Sequence, residues 1–511
     1  MADHDEENPR ELEIKLLLPD GYGDTFPDLD AFRGLVPAER HQITTYFDTA
    51  DRRLLKEGMA LRLRQGGART LQTLKTASDG STFGRGEWEA PVEGKVPDLA
   101  LLRGTPAEPL LPDGTALRPV FETRVRRLRC DLSPADDVRI EAVLDLGEIR
   151  AGKRREPIRE MEMELQQGSP IALYRLASEV LLAVPGALLS TESKAARGWQ
   201  IAARAPRRRA EKAGEVVLRP EMTVAEAVRA IIGSCLRQLM ANEPLARTGT
   251  ADGSRMEGVH QMRVAIRRLR AALRLFGPLL EPHATARFED ELRRLGQVLG
   301  AARDWDVFCE ETLPEAGKEE GTAEWVALLR PAAEECRVEA HAAMLEELRR
   351  PALGALVLGL AGWAEDPAVL GGVAVGKPLA KVAPGLLEGV ARKVRRRGRK
   401  IRHRSMEELH SLRKALKRLR YGLEFLSGLC PEKALRRYLQ GCKELQEDLG
   451  GLNDAVTAIA MAEKLVARRG TELAPAMAGL AQWAEARREA AVARLPEDWK
   501  AFRDLPLPLV D

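Results

Sequence analysis

Glu160-Met161-Glu162-Met163-Glu164-Leu165 alternates acidic and apolar residues with a period of two. Successive side chains of a strand point to opposite faces, so Glu160, Glu162 and Glu164 share one face and Met161, Met163 and Leu165 the other. The same alternation occurs in Glu11-Leu12-Glu13-Ile14-Lys15, Leu61-Arg62-Leu63-Arg64 and Glu87-Trp88-Glu89. Turn residues separate the runs, at Gly66-Gly67, Asp79-Gly80, Asp113-Gly114 and Gly147. For any one such strand, a solvated sheet face is the ordinary reading. Recurrence with opposite signs of charge fits it poorly, because long same-face runs of like charge repel on an open sheet. A closed barrel explains the pattern better, with a charged lumen and apolar residues packed on outer helices.

Brought together, these carboxylates are hard oxygen ligands of the kind Mg²⁺ or Mn²⁺ takes. Lys15, Arg62, Arg64 and Lys75 supply positive charge for phosphate oxygens. A lumen carrying both signs suits a metal-bound oligophosphate: cations hold the phosphates, and a metal joins carboxylate to phosphate.

Glu11 to Lys15 also matches the ExExK signature of the CYTH family, the triphosphate tunnel metalloenzymes. Companion segments follow in family order: Thr45-Tyr46-Phe47-Asp48-Thr49, Leu61 to Arg64, Thr73-Leu74-Lys75, Glu87 to Glu89, Glu141 with Asp145, Glu160 to Glu164, and Ser193-Lys194-Ala195-Ala196-Arg197-Gly198. The last resembles the end of the bacterial inorganic triphosphatase branch, which also carries a CHAD-like region. The resemblance spans nearly residues 10 to 200 and implies an α+β domain built on an eight-stranded antiparallel tunnel. It implies Glu11, Glu13, Glu162 and Glu164 as metal ligands, and Glu141 and Asp145 as lumen acids that assist metal or water positioning. The implied phosphate ligands are Lys15, Arg62, Arg64, Lys75 and Lys194. In Thr123-Arg124-Val125-Arg126-Arg127-Leu128-Arg129 either parity presents arginines; spacing from Thr123 favours Arg127 and Arg129 as the lumen pair. Loss of Glu13 or Glu162 is expected to abolish turnover and leave the fold intact.

The tunnel domain is assigned to residues 8–204 and a linker to 205–219, where Arg204-Ala205-Pro206-Arg207-Arg208-Arg209 leads to Arg219-Pro220. Beyond it the period becomes helical, rich in Ala, Leu, Glu and Arg. This half repeats itself at an offset of 150 residues: His260-Gln261-Met262-Arg263 and His410-Ser411-Leu412-Arg413, Arg267-Arg268-Leu269-Arg270 and Lys417-Arg418-Leu419-Arg420, Asp304 and Asp454. One offset for all matches predicts an all-α, duplicated helical bundle over 220–505, with related halves at about 220–365 and 378–505. Asp304 and Asp454 are read most simply as N-caps of following helices.

His260, Arg263, Arg267, Arg270 and Arg274 fall in roughly one 80° stripe at 100° per residue. Met262, Ile266, Leu269, Leu273 and Phe276 form the adjacent apolar stripe. In the second copy His410, Arg413, Lys417 and Arg420 stand beside Leu412, Leu416, Leu419, Leu423 and Leu426. A charged helix face is normally just solvated. These two lack interleaved Glu to relieve i,i+4 repulsion, and both begin with His. A third basic block, Arg392 to Arg404, has nine Arg or Lys and no acid, and either extends the patch or forms an arm. The duplicated His-x-x-Arg-x-x-x-Arg/Lys-Arg-Leu-Arg pattern is similar to the CHAD domain. The resemblance implies polyphosphate binding by His260, Arg263, Arg267, Arg270, His410, Arg413, Lys417 and Arg420.

A chain of 511 residues with 44% hydrophobic content suits two or three folded domains. Aromatic residues are 4%, too few for a broad base-stacking surface, so nucleic acid ranks below polyphosphate as a partner. Cys130, Cys235, Cys309, Cys336, Cys430 and Cys442 form no CxxC pair, which reads as reduced thiols in a cytoplasmic protein. The acidic N-terminus is no signal peptide, and Ala352 to Ala364, the most apolar run, is too short to span a bilayer. No membrane is expected, though association with polyphosphate granules is. The predicted function is Mg²⁺- or Mn²⁺-dependent hydrolysis of inorganic triphosphate to pyrophosphate and phosphate, with long-chain polyphosphate bound by the helical domain. The alternatives are a non-catalytic polyphosphate binder and a CYTH organic triphosphatase or adenylyl cyclase.

Overall fold

The computed structural model describes residues 10–67, 69–78, 83–202, 209–249, 253–319 and 321–508, without the side chains of residues 10, 11, 77, 78, 84, 85 and 471. Its strands are β1 (Arg10–Leu17), β2 (Ala38–Asp48), β3 (Ala60–Gln65), β4 (Thr70–Ser78), β5 (Gly84–Val92), β6 (Arg118–Ala135), β7 (Val138–Ala151), β8 (Arg154–Gln167) and β9 (Leu188–Ser190). A single turn, α1 (Arg53–Lys56), follows β2, while α2 (Pro170–Ala183) and α3 (Lys194–Ala202) flank β9. The rest is helical: α4 (Val224–Thr248), α5 (Ser254–Phe276), α6 (Pro282–Val307), α7 (Leu313–Ala316), α8 (Ala323–Leu348), α9 (Ala352–Glu365), α10 (Pro367–Leu370), α11 (Leu379–Gly398), α12 (Met406–Phe425), α13 (Glu432–Arg469) and α14 (Ala474–Arg503).

All nine strands join one antiparallel sheet in the order β5-β4-β3-β2-β6-β7-β8-β1-β9, and β1 pairs with β5 as well. The expected count was eight; the ninth is the three-residue β9, which adds to β1 through Lys15, Leu16 and Leu17. Period-two alternation puts Ile14, Leu16, Met161, Met163, Leu61, Leu63 and Leu74 in the apolar core. Gly147 in β7 answers a close approach, since a Cβ there would lie 1.9 Å from the Arg124 carbonyl oxygen of β6. One apolar cluster joins Tyr46, Phe121 and Trp199, with Tyr46 stacked on Phe121 at 4.5 Å between centroids. Trp199 belongs to α3, and Gly198 beside it leaves room for the Phe121 ring, which a Cβ would approach to 2.1 Å.

Two compact units divide the chain, but not in simple chain order. The first comprises residues 1–209 and Arg349–Asp366; the second comprises Ala210–Leu348 and Pro367–Asp511. The apolar run noted in the sequence is therefore α9, a helix of the strand-bearing unit. It packs on α2: a Cβ on Gly354 would lie 2.7 Å from Leu181 Cδ2, and one on Gly362 would lie 3.3 Å from Tyr174 Cβ. Leu353, Leu356, Val357, Leu358, Leu360 and Trp363 are buried, which accounts for its being apolar all round.

In the second unit, capping boxes start two of the helices. Thr223 Oγ1 accepts from the Glu226 amide at α4, and Ser405 Oγ from the Glu408 amide at α12, both at 3.2 Å. The apolar stripes of α5 and α12 are buried, and the helices meet where a Cβ on Gly422 would lie 3.5 Å from Leu275 Cδ2. Asp304 and Asp454 are not N-caps. Both lie inside helices, α6 and α13, because each helix continues past the position where a cap would start a new one. No described helix is long and apolar enough to cross a membrane.

Candidate active site and anion-binding surface

The inward face of the sheet lines a cavity of about 600 Å³. Register decides which charges stand together. Glu13 of β1 is the cross-strand partner of Glu164 of β8, and Glu164 is in turn the partner of Glu141 of β7. One step along the same face, Lys15 pairs with Glu162; two steps along, Glu160 pairs with Asp145, and Asp145 with Arg127 of β6. Glu13, Lys15, Arg127, Glu141, Asp145, Glu162 and Glu164 all line the cavity. Glu11 lies on β1, and its side chain falls outside those described.

The oxygens of Asp145, Glu160 and Glu162 lie within 4.8 Å of one another, close enough to chelate a metal. Lys194 already stands among them. From the N-terminus of α3 its Nζ reaches Asp145 Oδ2 at 2.8 Å, Glu162 Oε1 at 2.9 Å, and Glu160 Oε1. Lys15 Nζ adds a contact of 2.9 Å to Glu162. Arg127 grips Asp145 through two nitrogens, at 2.8 and 2.6 Å. Arg197, one turn beyond Lys194, donates to Glu160 Oε2 at 3.1 Å and to Glu156 at 2.6 Å. These three carboxylates thus meet four cations, of which Arg197 is shared with Glu156 and Lys15 with Glu13.

Titration follows the same balance. Burial alone would favour neutral Lys194, but Asp145, Glu160 and Glu162 outweigh it and hold the ammonium well above its ordinary range. Lys15 is raised against burial by Glu160, Glu162 and Glu13. Glu162, which burial would raise, is held well below the carboxylate range by Lys15, Lys194 and Arg127. Asp145 is likewise lowered, by Lys194 and Arg127.

The row Glu13–Glu164–Glu141 has a different character. Like charges directly opposite across strands destabilise a sheet. Lys15 and Lys75 lie 3.8 and 3.9 Å from Glu13, and half-exposed Arg129 lies 2.9 Å from Glu141. All-carboxylate donors fit a hard divalent cation such as Mg²⁺ or Mn²⁺.

The opposite wall is cationic. Arg62 and Arg64 of β3 and Lys75 of β4 project into the cavity, with Glu87 of β5 at 3.4 Å from Arg62 and 3.1 Å from Lys75, Glu89 of β5 at 3.8 Å from Arg64, and Glu13 of β1 at 3.9 Å from Lys75. The Arg62 charge, burial and Arg127 together push Arg64 down to about 10. A guanidinium does not deprotonate in practice, so the shift registers repulsion that a bound anion would relieve. Arg127 and Arg129 line the cavity, whereas Arg124 and Arg126 pair with Glu122, and with Asp24 and Glu39, away from it.

In the second unit, α5 and α12 carry the two basic stripes side by side. Arg268 sits in the seam, 5.3 Å from the centroid of the Phe425 ring and donating to Gln238 at 3.1 Å. Arg263 faces Asp304 at 3.5 Å, and Arg413 interacts with Asp454. Arg263 Nη1, Arg267 Nε and Arg413 Nε are buried donors with no hydrogen-bond partner among the described residues. His410 Nδ1 lies 2.8 Å from Asn453 Oδ1; His260 is half-buried near Arg303 of α6. Arg420 pairs with Glu424 at 3.2 Å, and Arg270 stands next to Arg274. Arg274 itself is committed to a bidentate pair with Glu289. The block from Arg392 to Arg404 is ordered as the end of α11 and the 3₁₀ turn Ile401–His403.

Sequence reasoning assigned no site role to Arg197, Glu87 or Glu89, and counted Glu160 only among the same-face carboxylates. Glu160 shares the parity of Glu162 and Glu164, and Arg197 lies three residues after Lys194, so both signals were present. Their pairing across strand and helix was not.

An antiparallel sheet with this charged cavity and a separate basic helical unit define a two-domain chain. Residues 9–199 match the CYTH domain model and residues 230–463 the CHAD domain model, so the chain is a CYTH domain followed by a CHAD domain. It is 34% identical over 194 residues to the inorganic triphosphatase of Haemophilus influenzae. That match covers 37% of this chain and 54% of the relative, so the chain spans about half the length of that protein. The crystal structure of the CHAD domain from the plant Ricinus communis aligns at 28% identity with a TM-score of 0.52, over 59% of this chain and 99% of that one.

Proposed function

We propose that the CYTH domain hydrolyses inorganic triphosphate to pyrophosphate and phosphate with Mg²⁺ or Mn²⁺, and that the CHAD domain binds long-chain polyphosphate. The observation carrying the first part is the opposition, across one cavity, of the Arg62–Arg64–Lys75 wall and the Glu13–Glu164–Glu141 row. Binding an anion alone needs no carboxylates, which favours catalysis over a purely binding role. The H. influenzae relative supports the choice of substrate.

In this reading Glu13 and Glu164 hold the metal, with Glu11 on the same strand as Glu13. A metal held there would supply charge neutralisation at the phosphate oxygens and electrophilic activation of the attacked phosphorus. Arg62, Arg64, Lys75 and Arg127 bind the phosphate oxygens and align the chain for in-line attack. Glu141 orients the attacking water and accepts its proton. Asp145, Glu160 and Glu162 fix Lys15 and Lys194 as charged donors that stabilise the pyrophosphate leaving group. The test is phosphate release from triphosphate, long polyphosphate, ATP and thiamine triphosphate, with and without each metal. Metal-dependent release from triphosphate in preference to the others is expected; preference for an organic triphosphate would favour the alternative CYTH activities.

For the helical domain, the supporting observation is the set of buried guanidinium donors without partners on α5 and α12. Such donors are costly unless a ligand accepts from them, and a chain of phosphates offers acceptors at close spacing.

A further inference from the structure

We propose that the CHAD surface takes up a proton when it binds a phosphate polyanion, and that Lys417 is the group that receives it. The proposal rests on polyanion binding by α5 and α12 as argued above.

Lys417 lies in the middle of the α12 stripe and is half-buried. On its own helix Arg413 and Arg420 flank it, one turn before and one turn after. From α5 it faces Arg267. From α13 the charge facing it is Asp454, which Arg413 shares. Helix α11 turns Arg397 elsewhere, to the Ser411 carbonyl oxygen and toward Arg418. Four cations therefore share two carboxylates, Asp454 and the Glu424 that pairs with Arg420 at 3.2 Å. Arg267 and Arg413 each bury an Nε from which no group among the described residues accepts.

Such a cluster lowers its energy by shedding charge. Guanidinium cannot do so near neutrality, whereas a buried ammonium can. Burial first, then Arg413, Arg267 and Arg420, push Lys417 down to about 7 against the pull of Asp454. Its counterpart at the 150-residue offset is Arg267, so the paired stripes hold one readily titrated cation at this level. His260 and His410 are depressed by burial and by neighbouring cations, so they are neutral at pH 7.5 and gain protons only in more acid solution. An arriving polyanion cancels the repulsion and returns Lys417 to its charged form. Apparent affinity then scales with the fraction protonated in the free protein, a loss of about 15-fold between pH 7 and 8.5.

Isothermal titration of the full chain in EDTA with long-chain polyphosphate tests this at pH 7.5, in two buffers of different ionisation enthalpy. Long chains keep the contribution of terminal phosphates small. Net proton uptake is expected for the wild type. Lys417→Arg should bind at least as tightly, lose the uptake and become insensitive to pH between 7 and 8.5. Lys417→Met should bind more weakly at every pH. Uptake that survives Lys417→Arg, or that disappears in His260→Gln/His410→Gln, overturns the assignment. Wild-type binding without uptake overturns the linkage alone, and absence of binding overturns the polyphosphate reading together with it.

Discussion

Lys194 Nζ lies 2.9 Å from Glu162 Oε1, inside a pocket where Lys15 reaches the same oxygen at 2.9 Å. Removing the Glu162 charge therefore takes from two buried ammonium groups the acid they share, leaving Asp145 and Glu160 to Lys194 and the more distant Glu160 and Glu13 to Lys15. The expectation that loss of this acid leaves the fold intact does not suit that geometry. Glu162→Gln should destabilise the CYTH unit by about 3–5 kcal/mol, measured by urea unfolding. Because the Glu162 pKa is lowered by folding, its stabilising contribution is present above the unfolded pKa of about 4.3 and is lost as pH falls through the lower folded value. The variant should consequently lose less stability than wild type on acidification. Equal unfolding midpoints for variant and wild type at pH 7 would refute the anchor.

Glu13 and Glu164 oppose each other across β1 and β8, and their substitution should behave in the opposite way. Either Glu→Gln change should remove metal-dependent turnover and leave the metal-free melting temperature unchanged or raised, since it relieves like-charge repulsion. Phosphate release at saturating Mn²⁺ and thermal melting in EDTA separate the two effects. Near-wild-type turnover in both variants would exclude this row as the metal site.

Arg64 is held down to about 10 chiefly by Arg62, so the free cavity is strained by charge that substrate relieves. Arg64→Gln should melt higher without ligand and lose about 10- to 100-fold in kcat/KM for triphosphate, the worth of one charged hydrogen bond of about 1.5–3 kcal/mol. Melting curves and steady-state kinetics report the two effects. A lower ligand-free melting temperature would contradict the repulsion argument.

Helix α9 covers α2 through Gly354 and Gly362. A fragment ending near residue 205 lacks α9 and should expose Leu181 and Tyr174, with reduced solubility and a lower melting temperature than the full chain's CYTH unit. Gly354→Leu in the full chain should cost about 1–3 kcal/mol by overpacking against Leu181. A fragment as stable and soluble as the unit in the full chain would show that α9 adds nothing.

Asp498 of α14 shares a proton-dependent hydrogen bond with Asp448 of α13, which raises its carboxyl to about 6. An acid raised by folding contributes stability that is present at low pH and lost as pH rises through the folded value. Asp498→Asn, which imitates the protonated form, should raise the melting temperature at pH 7.5 and change it little at pH 5. A uniform shift at both pH values would place the effect elsewhere.

The sequence alone determined the strand-rich and helical halves, because side-chain period is a local property: two in Glu160 to Leu165, 3.6 along His260 to Phe276. It also determined which face of each element is apolar, and Met161, Met163, Met262 and Leu412 are all buried as their parity or stripe requires. Only tertiary structure decided how charges on a shared face divide their work. Glu162 and Glu164 are two residues apart on one strand, yet one is neutralised by Lys15 and Lys194 and the other opposes Glu13 and Glu141. Register with β1 and β7 and the entry of α3 make that difference, and neither is local. Likewise α9 reads from sequence as a buried helix, while its membership in the N-terminal unit depends on α2, some 170 residues earlier in the chain. Burial and ion pairing are many-body quantities, fixed only when residues distant in sequence come within a few ångströms.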